Sequence, residues 1–209
     1  MSSDAGSGRP EHQRIELADG RICLALRLPG GARWSTHLIV GEDRVVVVDP
    51  WPWPYARALA NMIAAETGDR RPTDIVVLSD ATGGLSAIPD LGADGTAMTL
   101  HCPPRVAALL GTGGGNVEIA PVSGITEAVA LDNVASLRLM SGETSSGWEL
   151  LIGIDEAAGL LYAPAGWKLA PGDTRGDSGA APRPLSVEAI ARRFEVLSIR
   201  LTHEGSSLA

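Results

Sequence analysis

Side chains able to do chemistry are few in this chain, and their settings exclude more reactions than they support. The two cysteines, Cys23 and Cys102, each sit inside an apolar run. That setting predicts a small buried thiol rather than a disulfide or a nucleophile. The glycine strings Gly83-Gly84 and Gly113-Gly114-Gly115 match neither the nucleophile elbow of a serine hydrolase nor a phosphate-cradling loop. Of the four histidines, His12 falls in the polar amino-terminal segment and His37 in a strand-like run. Five tryptophans stand out, two of them, Trp51 and Trp53, in the irregular string Pro50 to Pro54. Indoles bring a large flat contact area and one N–H donor each, which suits a flat apolar or aromatic molecule and equally suits filling a cavity or packing a subunit interface.

Composition narrows the partners. A net charge of −8 with scattered arginines, the only doublets being Arg70-Arg71 and Arg192-Arg193, gives no basic footprint for nucleic acid. There is no run of about 18 apolar residues, and Met1 to Arg14 is polar and rich in Ser, Gly and Pro, so no membrane segment or export signal is expected. These features predict a cytoplasmic protein with a disordered tail over 1–14 and one domain over 15–209. With 44% hydrophobic residues the chain can bury a large core.

The elements that must position any site read in order along the chain. Arg21 to Leu28 alternates at period two after the turn Ala18-Asp19-Gly20, a hairpin strand. Thr36 to Val40, the turn Gly41-Glu42-Asp43 and Val45 to Asp49 form a second hairpin, whose later strand is apolar on both faces as a central strand would be. Tyr55 to Thr67 carries Leu59, Met62 and Ile63 at helical spacing and stops at Gly68. Strand Asp74 to Leu78, the Gly83-Gly84 loop, a short segment through Leu91, strand Ala97 to His101 and helix Pro103 to Leu110 continue a β-α-β-α order. Beyond the break at Gly111 to Gly115, strand-like segments at Val117-Ile119, Val129-Leu131, Ser136-Met140, Glu149-Ile154 and Leu160-Ala163 imply a second sheet. A loop over Lys168 to Pro184, a helix capped by Ser186 and running to Phe194, and a last strand Val196 to Leu201 complete the chain. Two sheets flanked by helices predict an α/β fold, a four-layer αββα sandwich.

This order of elements, from about Ile22 to Ser206, resembles the metallo-β-lactamase superfamily. Thr36 to Asp49 is similar to that family's opening hairpin ending in a structural Asp, and Asp155 to Tyr162 to its acidic turn before a buried strand. His101-Cys102-Pro103 resembles a common helix start there that holds no metal. Ser86 to Leu91 and Met98 to Leu110 look like the oxygen-binding diiron branch of the flavodiiron proteins. The family's first metal motif, His-x-His-x-Asp-His, belongs after the strand ending at Leu78, where this chain has Ser79-Asp80-Ala81-Thr82-Gly83-Gly84. Asp80 stands where the first His belongs and Thr82 near the second. Glu143, in Gly142-Glu143-Thr144, replaces the next ligand His, and Ala165 replaces the bridging Asp. His203 alone survives. The resemblance therefore implies a degenerate member of the family, with no metal and no cofactor.

What the resemblance implies for the site follows from those substitutions. It would gather Asp80, Glu143 and His203 in one pocket, as general acid or base in a metal-free reaction or as a single set for iron, manganese or zinc, two carboxylates and one imidazole suiting the first two better. The alternative is that Asp80 and Glu143 are solvated or bond backbone amides, and that His203 donates to a neighbouring loop. The resemblance also places Trp51, Trp53 and Trp167 around the cleft mouth, with Trp148 following the Glu143 turn and Thr82 beside Asp80. The reading is a pseudoenzyme that binds a small apolar or aromatic molecule or serves as an assembly component, and forms a homodimer. The competing reading is a hydrolase or oxidoreductase-like enzyme using the residual pocket.

Overall fold

The computed structural model describes residues 11–16, 21–27, 35–52, 55–79, 83–92, 95–111, 115–124, 129–130, 136–143, 149–155, 157–158, 160–162, 164 and 200–201. They form two sheets. The first contains β1 (Glu11–Glu16), β2 (Ile22–Arg27), β3 (Ser35–Val40), β4 (Val45–Val48), β5 (Asp74–Val76), β6 (Met98–Cys102) and β7 (Val117–Pro121), side by side in chain order. β1 to β4 are antiparallel to their neighbours, and β4 to β7 are parallel. The parallel strands require crossovers. These are α1 (Ala56–Thr67), α2 (Ile88–Leu91) preceded by the tight turn Gly83–Ala87, and α3 (Pro104–Leu110). The second sheet runs β12 (Arg200–Leu201), β11 (Leu160–Tyr162), β10 (Glu149–Asp155), β9 (Ser136–Glu143) and β8 (Val129–Ala130).

Alternation along the strands divides the interior in two. Val45 and Val47 face α1 and α2 with Leu59, Ile63, Ile75, Leu91, Leu100 and Val106. Val46 and Val48 face the second sheet, with Ile39, Val76, Leu78, Leu137, Leu139, Leu151 and Tyr162. All four valines are fully buried, so β4 is the central strand its apolar run predicts. On the second sheet Leu150, Ile152, Ile154 and Met140 lie outside the core cluster between the sheets and are buried as well. The helix expected over 186–194 lies outside the described residues. Gly68 ends α1 in the left-handed region (φ 66°), its N–H bonding to Ala64 O, where the sequence stops the helix. Gly153 lies opposite Tyr162, and a Cβ there would come within 3.3 Å of Leu137, so the missing side chain is what lets the Tyr162 ring lie against β10.

Three boundaries depart from the sequence reading. Residues 11–14, the end of the stretch read as a disordered tail, belong with 15–16 to β1, paired in register from Glu11 opposite Arg27 to Glu16 opposite Ile22. An edge strand with one neighbour does not need the apolar alternation by which central strands are recognised. β5 stops at Val76: the Val77 N–H still donates to His101 O of β6, but Leu78 bonds to the Asp49 carboxyl and to Leu151 instead. β9 continues past Met140 to Glu143, paired with β10 as far as Glu149. Among the described residues no helix is long and apolar enough to cross a membrane.

Candidate binding cleft at the carboxyl ends of the parallel strands

In open α/β sheets the groove beyond the carboxyl ends of parallel strands is where ligands collect. Here that edge is organised by Asp49, the residue after β4. Its backbone has φ 50°, the left-handed region that a short polar side chain tolerates better than most. The turn aims the carboxyl back into the protein, where Oδ1 accepts the Leu78 N–H at 2.8 Å. The Asp49 N–H donates to Val76 O at 2.8 Å, and its carbonyl accepts Thr36 Oγ1 at 2.6 Å. One residue thus ties β3, β4 and the end of β5, as its likeness to a structural Asp implies. Asp49 is 2% exposed, and burial pushes its carboxyl up to about 7, the Leu78 bond offsetting only part of that rise.

Leu78 then crosses between the sheets. Its carbonyl accepts the Leu151 N–H at 2.7 Å, and Ser79 forms an isolated antiparallel bridge with Leu150. The first sheet is therefore stitched to β10 at Leu78 and Ser79. On the other bank, Glu143 and Glu149 are cross-strand partners at the open end of β9 and β10. Glu149 Oε2 accepts the Arg105 N–H at 2.8 Å, supplying the acceptor that Pro103, before α3, has no side-chain group to offer.

Of the residues expected to line this cleft, Asp80, Thr82, Trp53, Trp148, Trp167 and His203 lie outside the described residues, and Glu143 is placed by its backbone only. Trp51 is corrected. It is fully buried in the core under α1, not at the mouth, because the chain leaving Asp49 turns back under the helix that begins at Ala56. Among the described residues its Nε1 has no hydrogen-bond partner.

Polar groups elsewhere are built into the framework. Between the sheets Arg21 makes two bonds to Asp155, at 2.7 and 3.0 Å, and Asp155 Oδ1 also accepts the Ala158 N–H at 3.0 Å. Cys23 Sγ lies 3.4 Å from the Tyr162 hydroxyl, and the His37 ring meets Tyr162 edge-on at 5.4 Å. Burial pushes the Cys23 thiol up to about 11 and the Tyr162 hydroxyl well above its usual value. Cys102 is pushed up to about 11 by burial too, and both thiols are free, the buried cysteines that the apolar runs predict. On the first sheet, His101 Nε2 lies 2.9 Å from Asp74 Oδ1, whose other oxygen accepts Thr73 Oγ1 at 2.8 Å and Arg44 Nη1 at 3.0 Å. Burial alone would raise the Asp74 carboxyl, but the bonds from His101 and Thr73 and the Arg44 charge outweigh it and hold the group below its usual value. Sequence reasoning missed the Arg21–Asp155 and Asp74–His101 pairs. No local pattern links positions so far apart.

The described residues do not assemble a metal site. A catalytic zinc takes about three protein ligands plus an open position, and a two-metal hydrolase needs more. Among the four histidines, His37 is fully buried against Tyr162, His101 is bonded to Asp74, and His12 lies on β1, three strands from β4. The fourth, His203, lies outside the described residues. Among the described residues no three His, Cys, Asp or Glu side chains converge as a metal set.

Two sheets face to face, helices over the first, and a buried Asp holding the loop after the second parallel strand define a metallo-β-lactamase-type sandwich. The solved structures agree. The chain is similar to a diflavin flavoprotein fragment from Nostoc sp. PCC 7120, with 15% identity and a TM-score of 0.60, covering 75% of this chain and 66% of that one. It is similar to a flavo-di-iron protein from Thermotoga maritima, with 14% identity and a TM-score of 0.61, covering 88% and 48%. It is also similar to the metallo-β-lactamase TMB-1, with 14% identity and a TM-score of 0.57, covering 96% and 93%. The chain thus spans about half the length of the Thermotoga protein and nearly all of TMB-1. At these identities the likeness is one of fold. No family model and no curated protein matches the sequence.

Proposed function

We propose that the chain is a metal-free protein on the metallo-β-lactamase scaffold, a pseudoenzyme that binds a small apolar or aromatic molecule or serves as an assembly component, as a cytoplasmic homodimer. The observation that carries this reading is where the imidazoles go. His37 is buried beside Tyr162 and His101 is engaged by Asp74, so both are built into the framework and neither is offered as a metal ligand. At the family's ligand positions the sequence supplies Asp80, Thr82, Glu143 and Ala165, with only His203 as a nitrogen donor. In this reading, which follows the resemblance, Trp53, Trp148 and Trp167 supply the aromatic surface of the cleft.

The test is elemental analysis of protein purified without chelator, paired with native mass spectrometry. The expected result is far less than one equivalent of iron, zinc or manganese, and an organic adduct or a dimer at native mass. A stoichiometric metal lost in His203→Ala would overturn the metal-free reading. Turnover abolished by Glu143→Gln would replace the pseudoenzyme with the enzyme that uses Asp80, Glu143 and His203.

A further inference from the structure

β7 is the last strand of the first sheet, and among the described residues no strand pairs with its outer edge. Its ladder to β6 fixes which groups that edge offers. Asn116 O accepts the Met98 N–H at 2.8 Å, and the Val122 N–H donates to Cys102 O at 2.9 Å. In a parallel ladder the bonds recur at every second residue of each strand. Glu118 and Ala120 therefore turn their backbone groups to β6, whereas Val117 and Ile119 each turn an N–H and a C=O outward. Pro121 has no N–H and turns only a C=O outward. Val117 and Ile119 are half-buried against the first core, on the face that α3 covers. At the end of that helix Leu109 is 79% and Leu110 39% exposed. An open edge beside apolar surface is a template for another strand.

We propose that β7 pairs antiparallel with β7 of a second copy of this chain about a two-fold axis at Ile119, an interface that rests on the homodimer reading above and gives it a place. Under such an axis the outward groups of the two strands meet only if the pairing is centred on one residue. Centred on Ile119, that residue exchanges both bonds with its counterpart, and each Val117 N–H donates to the Pro121 C=O of the other copy. Every outward N–H of both strands is then bonded, and the donor that Pro121 lacks is not missed. Centring one residue earlier also bonds every outward N–H, but it sets Glu118 directly opposite Glu118 of the copy, and like charges in that position are destabilising. Centring one residue later asks Pro121 for the donor it does not have. Charge and proline together select Ile119. In that register each Glu118 faces Ala120 of the other copy. On the helix-covered face Val117 lies opposite Pro121 on either side of the paired isoleucines, an apolar stripe flanked by the α3 of each copy.

Sedimentation velocity of the full chain over a concentration series tests it, with Ala120→Glu and with Glu118→Lys combined with Ala120→Glu. The wild type should be a dimer. Ala120→Glu sets a new carboxylate against Glu118 of the copy on each side of the axis and should raise the dimer dissociation constant about tenfold. Adding Glu118→Lys makes both contacts opposite in charge and should return the constant to within about threefold of wild type. Cross-linking reads the register separately. Ile119→Cys should form an intermolecular disulfide on mild oxidation, because counterparts in a bonded antiparallel pair lie about 5.5 Å apart between Cα atoms. Glu118→Cys should not, its two copies being offset along the strands. A wild type that is monomeric at every concentration would overturn the homodimer reading and this interface together. A dimer that is unchanged in Ala120→Glu, or that cross-links through Glu118→Cys and not Ile119→Cys, would overturn the β7 pairing and leave the homodimer standing. Should Ala120→Glu fail to fold, the two cysteine variants decide.

Discussion

Arg21 and Asp155, 134 positions apart, close a two-bond ion pair between the start of β2 and the end of β10, with side chains 3% and 0% exposed. The pair joins the two sheets at the far end of β10 from Leu78. A buried charge that loses its partner is costly, so Arg21→Ala should lower stability by about 3–5 kcal/mol. Replacing both charges with neutral groups of similar size, Arg21→Met with Asp155→Asn, should cost clearly less, because the amide oxygen introduced at position 155 still accepts the Ala158 N–H and no charge is stranded. Urea unfolding of the three proteins checks this. Equal losses in the single and double variants would show that the pair acts through packing rather than charge.

Asp49 predicts the pH dependence of global stability. Its folded-state value of about 7 lies above the unfolded value of 3.8, so the folded protein binds the extra proton between them and stability falls as pH rises through that window. The fall attributable to this group is at most about 4 kcal/mol, and is complete by about pH 7. Asp49→Asn should flatten that portion of the curve. Chemical denaturation from pH 4 to 8 measures it, and a wild-type curve rising over the same interval at the expense of no other group would contradict the assignment.

Much of the framework was legible because local patterns and tertiary requirements coincide. Val45 to Val48 is apolar at every position and lies between two cores, and Gly68 stops α1 where the helical spacing ends. β1 was missed because Glu11, His12, Gln13 and Arg14 look like solvated chain, and only pairing with β2 makes them a strand. Trp51 was misplaced for a similar reason. A Pro-flanked indole after a strand is as compatible with a rim as with a core, and the direction of the turn at Asp49, set by its left-handed backbone, decides between them. Asp74 and His101 meet only because β5 and β6 are parallel and in register from Asp74 opposite Thr99, a relationship that neither segment encodes alone.

The Asp74 cluster gives the opposite acid response to Asp49. Its carboxyl is held below 3.8, so it contributes stability that is full above the unfolded value and is lost as pH falls through the lower folded value. Asp74→Asn should lower stability at pH 6 and narrow its gap to wild type as the solution is acidified below about 3.8. Arg44 is 44% exposed and contributes little of this, so Arg44→Ala should be within about 1 kcal/mol of wild type while His101→Ala costs more. Thermal unfolding across pH 3 to 6 separates these contributions.

Both thiols should be inert in the folded protein. With Cys23 and Cys102 pushed up to about 11 and fully buried, the thiolate fraction at pH 8 is about a hundredth or less of that in an unfolded chain. Labelling with a thiol-specific alkylating agent at pH 8 should be at least about a hundredfold slower in buffer than in urea. Rapid native labelling of Cys102 alone would mean that the core under α3 opens more readily than the rest of the first sheet.

Trp51 separates core from cleft most directly. Its ring packs in the cluster of Leu59, Ile63 and Val47 beneath α1, so Trp51→Ala should remove about 3–5 kcal/mol by leaving a cavity. Trp51→Phe trades differently. It loses packing area, but it also removes an indole N–H buried without a partner among the described residues, a group whose desolvation costs about 1–3 kcal/mol. The two effects oppose, and the variant should stay within about 1.5 kcal/mol of wild type. Any aromatic compound that binds the cleft should keep its affinity in Trp51→Phe and lose it in Trp167→Ala. Isothermal titration of both variants, alongside their urea midpoints, checks this; loss of affinity in Trp51→Phe at unchanged stability would place that indole in contact with ligand after all.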